Sequence, residues 1–316
     1  MMQDLWGNSV AQDRRTLSRR FLWPPLTVLD ARSGQWTDRK REWLALGIRS
    51  EEGRPNDLVY SNTGCLAEAT GTSVFDPVLC ELAYRWWGPA PGGLVLDPFA
   101  GGSVRGIVAQ RLGLRYRGIE LSEVQVRANR DQAMEICRPE DGPMPEWIVG
   151  DARDLARWVQ PGEAEMILTC PPYVDLERYS DDPRDLSTLS WPDFCRSYSE
   201  IIYGVARALA PDRFAVFVVG EARDQRTGGQ YGLVPYTVQA LALAGLAYYT
   251  DGVLLTPVYN QARRVSRAWS CGSRKLARCH QHVVVAVKGD PGRAEDLARP
   301  LEGGWAEVFA GCGGAS

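Results

Sequence analysis

The 316-residue sequence predicts an α/β protein with a seven-stranded, mostly parallel sheet, helices on both faces and an antiparallel pair of strands at one edge. Three observations predict it. Short β-favouring runs at 94–97, 115–120, 146–150, 165–169 and 213–220 alternate with helical runs, of which Val104–Leu112, Glu123–Cys137 and Trp191–Leu209 are the clearest. That alternation argues a parallel sheet covered on both sides. After the fifth run the rhythm changes: Ala247–Pro257 and His282–Lys288 read as strands with no long helix between them, hence as antiparallel neighbours. Finally, Leu94-Val95-Leu96-Asp97 ends in an acid and runs through Pro98-Phe99-Ala100-Gly101-Gly102-Ser103 into a helix. Small residues at such a turn let backbone approach a ligand closely.

Composition bounds the rest. A hydrophobic content of 45% with 24% charged residues describes an ordinary globular chain. No apolar run approaches the roughly 20 residues that span a bilayer, so no membrane partner is expected. The start, Met1-Met2-Gln3-Asp4, does not read as a secretion signal. The 8 cysteines form no CxxC pair, which argues against a disulfide scaffold or a zinc ribbon and for reduced thiols. Cys271, Cys279, His280 and His282 fit no common zinc spacing, so no metal is expected. The net charge of −3 does not announce a nucleic-acid binder. Its distribution does: from Gly252 to Gly289 there is no Asp or Glu, while Arg263, Arg264, Arg267, Arg274, Lys275, Arg278 and Lys288 all lie there.

Taken in order, residues 1–24 form a polar arm with Arg14, Arg15, Arg19 and Arg20, closed by Pro24-Pro25. Leu26–Asp30 reads as a short strand. The run from Trp36 to Leu46 then reads as a helix carrying Trp36, Trp43, Leu44 and Leu46, with a role in packing or in facing DNA. Residues 49–72 are loop-like. Thr72-Ser73-Val74-Phe75-Asp76-Pro77 opens a helix: Ser73 or Asp76 can cap it, Pro77 suits its first turn, and Val78, Leu79, Leu82, Ala83 and Trp86 recur at helical spacing. The chain divides into an N-terminal arm and accessory segment (1–71), a main domain (72–290) containing the basic stretch 260–280, and a tail (291–316).

Four stretches stand at fitting distances: Asp97-Pro98-Phe99-Ala100-Gly101-Gly102-Ser103, Arg117-Gly118-Ile119-Glu120, Gly150-Asp151-Ala152-Arg153-Asp154 and Thr169-Cys170-Pro171-Pro172-Tyr173. As a set they resemble the S-adenosylmethionine-dependent amino-methyltransferases that modify DNA bases. From about Pro25 to Asp290 the chain is similar to phage and prophage DNA modification methylases, including the stretch Leu29 to Ile48. The resemblance implies the class I S-adenosylmethionine methyltransferase fold and a cytoplasmic protein of a bacterial or phage-infected cell.

It also implies site residues. The cofactor would be S-adenosylmethionine, leaving as S-adenosylhomocysteine. Backbone around Pro98, Phe99, Ala100, Gly101, Gly102 and Ser103 would meet its amino acid end, with Asp97 accepting from its amino group. Phe75 and Asp76 resemble the motif flanking that end. Glu120 would hold the ribose hydroxyls, and Asp151 with Ala152 the adenine; Asp154 reads as a helix cap. The usual Phe-x-Gly-x-Gly stands here as Phe99-Ala100-Gly101-Gly102-Ser103.

The catalytic loop would be Cys170-Pro171-Pro172-Tyr173. In the family the position of Cys170 is held by Asp, Asn or Ser, whose side-chain oxygen accepts from the target amine together with the backbone carbonyl beside the prolines. That bonding aims the nitrogen lone pair at the methyl group. A thiol is a poor acceptor, so the main-chain carbonyl would carry more of the positioning. Tyr173 would stack on a flipped-out base, and 174–183 would form a lid. Similarity of Cys to Ser in size favours N4-cytosine over N6-adenine as target. Cys170 as a nucleophile for cytosine-C5 methylation is the rival, although those enzymes place their Cys after the prolines.

The partner would be double-stranded DNA, contacted by Arg263, Arg264, Arg267, Trp269, Arg274, Lys275 and Arg278 through phosphate and base-edge contacts. About 65 residues separate the glycine and proline loops, which leaves no room there for a recognition domain. A short site, a homodimer or a partner specificity subunit follows. Two rival functions share the same motifs: an RNA or protein-glutamine methyltransferase, and a DNA-binding protein that holds cofactor without turnover.

Overall fold

The computed structural model describes residues 23–49, 52–53, 74–174, 180–224, 226–256 and 261–298, the last range without the side chains of 261–264. Its strands are β1 (Val28–Asp30), β2 (Leu94–Asp97), β3 (Arg115–Glu120), β4 (Glu146–Val149), β5 (Ala164–Thr169), β6 (Leu209–Val219), β7 (Ala247–Leu255) and β8 (His280–Lys288). Its helices are α1 (Gly34–Leu44), α2 (Pro77–Trp87), α3 (Val104–Arg111), α4 (Glu123–Ile136), α5 (Trp191–Ala208), α6 (Leu233–Leu243), α7 (Gln261–Ser270) and α8 (Pro291–Leu297).

The strands form one sheet in the order β1-β7-β8-β6-β5-β2-β3-β4. The pairs among β4, β3, β2, β5 and β6 are all parallel. β8 inserts antiparallel between β6 and β7. This is the class I S-adenosylmethionine methyltransferase fold expected from the sequence, with two corrections. The sheet has eight strands, because β1 pairs parallel with β7, Val28 opposite Val253. The strand itself is expected within Leu26–Asp30; its place in the sheet is set by a partner more than 200 residues away, which local pattern does not record. In addition, the ten-residue helix α7 stands between β7 and β8 where no long helix is expected. Its run is dominated by Arg263, Arg264 and Arg267, which read as a basic loop, and Ser266–Ser270 are exposed.

Alternation along the strands builds two core layers. Val95, Met166, Leu168, Phe214, Val216 and Val218 face the layer shared with α1–α4 and α8. Leu96, Ile167, Ala215, Phe217 and Val219 face the layer shared with α5 and α6. The described part of the N-terminal segment belongs to this core, so the boundary at residue 71 does not divide the fold. Ser33 caps α1, whose Trp36 and Trp43 are fully buried, while Leu44 is exposed. Arg39 donates two hydrogen bonds to the buried Glu81 of α2, and Trp43 Nε1 donates a third. The tryptophan face of α1 therefore packs inward. Among the described residues no helix is long and apolar enough to cross a membrane.

Candidate active site

β2 has β3 on one side and β5 on the other, so the chain reverses its winding between β2 and β5. Ligands of open α/β sheets bind outside the carboxyl ends of the strands at such a switch point. Two of the predicted loops, after β2 and after β5, meet there. A hydrogen bond from Thr169 Oγ1 to Asp97 Oδ1 (2.7 Å) ties their roots together.

Asp97 is fully buried and accepts from Phe99 N, Thr169, Tyr116 and Arg105, the last at 2.5 Å. Those four donors fill the four acceptor directions of a carboxylate. Asp97 thus serves as the anchor of the loop and presents no free acceptor to an amino group. Its partner Arg105, on the first turn of α3, is not a residue that the motifs single out. Arg105 also donates to the carbonyls of Phe99 and Ala100, and its guanidinium lies 4.5 Å from the centre of the Phe75 ring. Burial works against the guanidinium charge, but Asp97 and neighbouring groups outweigh it and raise the pKa. A signal existed in the sequence: Arg105 stands in the mostly apolar and small run Val104–Ala109, and a cation in a helix that is apolar on its other faces requires a specific partner.

The rest of the glycine loop is held as tightly. Pro98 is buried, Phe99 is half-buried against Tyr198 with ring centres 6.1 Å apart, and Ala100 N donates to Ile119 O. Gly101 has φ +50°, which favours glycine; its N–H donates to Glu120 Oε2 and its carbonyl accepts from Asn129. Gly102 is half-buried, whereas the Ser103 hydroxyl is buried and donates to Gln132 of α4, away from the crevice. Glu120 also accepts from Ser122 N. Asp76, not Ser73, caps α2, accepting from Val78 N and Leu79 N and also from Trp36 Nε1 and Lys40.

At the end of β4 the cap differs from the one expected. Asp151, not Asp154, caps the following turn, accepting from Arg153 N and pairing with the Arg153 guanidinium at 2.5 Å. The same guanidinium reaches Arg184 O across the crevice, and Ala152 is buried. Residues 175–179, the centre of the expected lid, lie outside the described residues; on its far side Asp185 is buried and accepts from the Ser180 hydroxyl.

In the proline loop Cys170 and Pro172 are half-buried, and Pro171 and Tyr173 are buried. Cys170 Sγ lies 3.3 Å from the Tyr173 hydroxyl, which accepts from Gln281 Nε2 at 2.7 Å. A Cβ on Gly220 would fall 2.9 Å from the Tyr173 ring, so glycine makes room for it. With 7% exposure, Tyr173 is a packed wall rather than an open stacking face. Glu221 of the next turn accepts from Gly232 N and Val234 N at the start of α6, a structural role.

The basic stretch forms a separate surface on α7 and the loop after it. Arg267, Arg274 and Lys275 are exposed, and among the described residues none of them forms an ion pair. Trp269 is 40% exposed, but its Nε1 donates to Lys275 O and Arg274 stacks 5.5 Å from its ring, so it braces the loop. Arg278 is half-buried; burial lowers its pKa, against the opposing pull of Glu221. The side chains of Arg263 and Arg264 lie outside those described. His280 and His282 stack edge to face, their pKa values lowered by burial.

No protein-family model and no curated protein matches the chain. Solved structures do. TrmN from Thermus thermophilus is 18% identical over 70% of this chain and 51% of its own, with a TM-score of 0.46. The match therefore spans about half of that protein. The [4+2]-cyclase SpnF is 16% identical over 81% of this chain and 95% of its own, with a TM-score of 0.47. A SAM-dependent methyltransferase from Methanosarcina mazei is 16% identical over 63% of this chain and 93% of its own, with a TM-score of 0.42. The fold class stands on the strand order rather than on these overlaps.

Proposed function

We propose that this protein is an S-adenosylmethionine-dependent DNA methyltransferase acting on an exocyclic base amine, with N4 of cytosine favoured over N6 of adenine. The observation that carries this reading is the junction at the switch point: a glycine loop flanked by Glu120, bonded through Asp97 and Thr169 to a Cys-Pro-Pro-Tyr loop.

The residues present fit such a cofactor in part. Glu120 ends β3 beside the glycine loop, bonded to Gly101 N and Ser122 N, where an acid would meet the ribose hydroxyls. The turn at Gly101 and Gly102 suits the amino acid end. Asp151 and Ala152 would flank the adenine, whereas Asp97 supports the loop from behind. When bound, the cofactor supplies an electrophilic methyl group on a sulfonium. The chain's own work is positioning: the carbonyls of the Cys170–Pro171 segment accept from the target amine and aim its lone pair, and the prolines stiffen the loop.

Double-stranded DNA, with the target base flipped out, fits the basic segment of α7 and its loop, which itself carries no Asp or Glu. Replacing Arg267, Arg274 and Lys275 together by Ala is expected to weaken DNA binding on every sequence. The salt slope of log K should fall by about 0.9 for each phosphate that is no longer neutralised. An unchanged slope would place the DNA on another face.

Methyl-labelled cofactor with varied DNAs, RNA and protein, followed by mass spectrometry of nucleosides and peptides, tests the reaction itself. Label in N4-methylcytosine or N6-methyladenine is the expected result. Label in 5-methylcytosine would make Cys170 a nucleophile and overturn the amine mechanism. Label only in RNA or in glutamine would reassign the substrate, and cofactor binding without any transfer would favour a regulatory DNA-binding protein.

A further inference from the structure

The loop leaving β6 is built as a small hairpin at the mouth of the site. Glu221 fastens its base by accepting from Gly232 N and Val234 N. Tyr231 N donates to Ala222 O, Arg223 bridges antiparallel to Gln230, and Asp224 N donates to Gly229 O. Asp224 then shapes the tip: its carboxylate accepts from Arg226 N and from the Thr227 hydroxyl, both at 2.8 Å, and Gly228 turns with φ +72°. Gln225 lies outside the described residues, whereas Arg226 and Gln230 are exposed. We propose that this hairpin reads the DNA sequence, its Arg226 and Gln230 contacting base pairs beside the flipped-out target.

The role rests on the DNA reading above and on where the hairpin stands. Its root adjoins the catalytic loop, since Gly220 leaves no space for a Cβ against the Tyr173 ring. Its tip adjoins the basic segment, since a Cβ on Gly228 would collide with Lys275 Nζ. Arg278 stands near the charges of Glu221 and Arg223 at the root. The hairpin therefore touches both the wall of the base pocket and the surface assigned to phosphate. The Arg223–Gln230 bridge lies three residues beyond Gly220. That is at most about 10 Å at roughly 3.3 Å per residue, or about three base-pair steps along a duplex.

The tip suits bases better than phosphates. Arg and Gln are the side chains that bond bidentately to the edges of guanine and adenine. Phosphate contacts need net positive charge, and here the Asp224 carboxylate, its pKa lowered by the Thr227 hydroxyl and the Arg226 N–H, offsets the Arg226 guanidinium. Two reading side chains also match a chain that has no room for a recognition domain between its glycine and proline loops.

Selection from a random double-stranded DNA library by the full-length protein with S-adenosylhomocysteine, followed by sequencing, tests this role without methyl transfer. The wild type is expected to enrich a short motif. Arg226→Ala should lower the preference at one position of that motif by about five- to a hundredfold, the range of one bidentate base contact, and Gln230→Ala at another. Affinity for DNA lacking the motif should stay within about twofold, with the same salt slope. Arg267→Ala on α7 should give the opposite pattern, weaker binding to every sequence and an unchanged motif.

An unchanged motif in both tip variants would overturn the reading role. So would a uniform loss of affinity with a shallower salt slope, which would make the tip a phosphate clamp, or binding by the wild type with no enriched motif. Failure of the wild type to bind any DNA overturns the DNA reading itself, and is told apart because it precedes any substitution. Both substitutions remove exposed side chains outside the hydrogen bonds that shape the turn. Unfolding temperature and S-adenosylhomocysteine affinity at wild-type values show that the scaffold is intact.

Discussion

Replacing Arg105 by Met is expected to lower the unfolding free energy by about 3–5 kcal/mol, the range for breaking a buried ion pair from one side. The side chain is 5% exposed and that of its partner Asp97 fully buried, so the carboxylate left behind finds no water in exchange. Met fills much of the aliphatic volume and keeps contact with Phe75, which confines the loss to charge and hydrogen bonds. The carbonyls of Phe99 and Ala100 also lose their donor, so the glycine loop should lose its fixed shape and bind cofactor more weakly. Urea denaturation measures the first effect, and titration of the folded variant with S-adenosylhomocysteine measures the second. Adding Asp97→Asn should return part of the stability, because no buried charge is then unpaired. A loss below about 1 kcal/mol would mean that Tyr116 and Thr169 suffice to hold Asp97.

Glu81→Ala is expected to be as costly, again about 3–5 kcal/mol, and to act on the N-terminal helix. Glu81 is fully buried and accepts from Arg39 twice, from Trp43 Nε1 and from Arg85. Without it Arg39 and the indole N–H lose the bonds that tie α1 to α2, and Arg85 loses one within α2, while Arg39 keeps Glu42 of its own helix. Because Trp36 and Lys40 of α1 also hold Asp76, the start of α2 beside Phe75 should loosen with it. Chemical denaturation and hydrogen exchange of α1 check this. Protection of α1 equal to wild type would show that the packing of Trp36 and Trp43 alone is enough. DNA binding per folded molecule should keep its salt slope, since α1 owes its place to packing.

Most of the framework was legible in the sequence because it is written in local patterns. The strand ends at Asp97, Glu120, Val149 and Thr169 follow from apolar runs stopped at or just before an acid, a glycine or a proline, and the parallel order from the alternation of strand and helix. The antiparallel entry of β8 was legible for the same reason, as a change in that rhythm. The short strand at Leu26–Asp30 was legible too, but not its pairing with β7, and α7 was hidden by the arginines that make its run read as a basic loop.

What the sequence by itself determined was the fold class and the positions of the loops, since both depend on periodicity and on residues with special backbone freedom. The tertiary structure alone decided what those loop residues do. Asp97 is spent on Arg105, Tyr116 and Thr169, Asp151 on its own turn and Arg153, and the Tyr173 hydroxyl meets a glutamine 108 residues away. Each of these depends on which donor the packing brings within about 3 Å of a buried acceptor. Spacing along the chain carries no record of that.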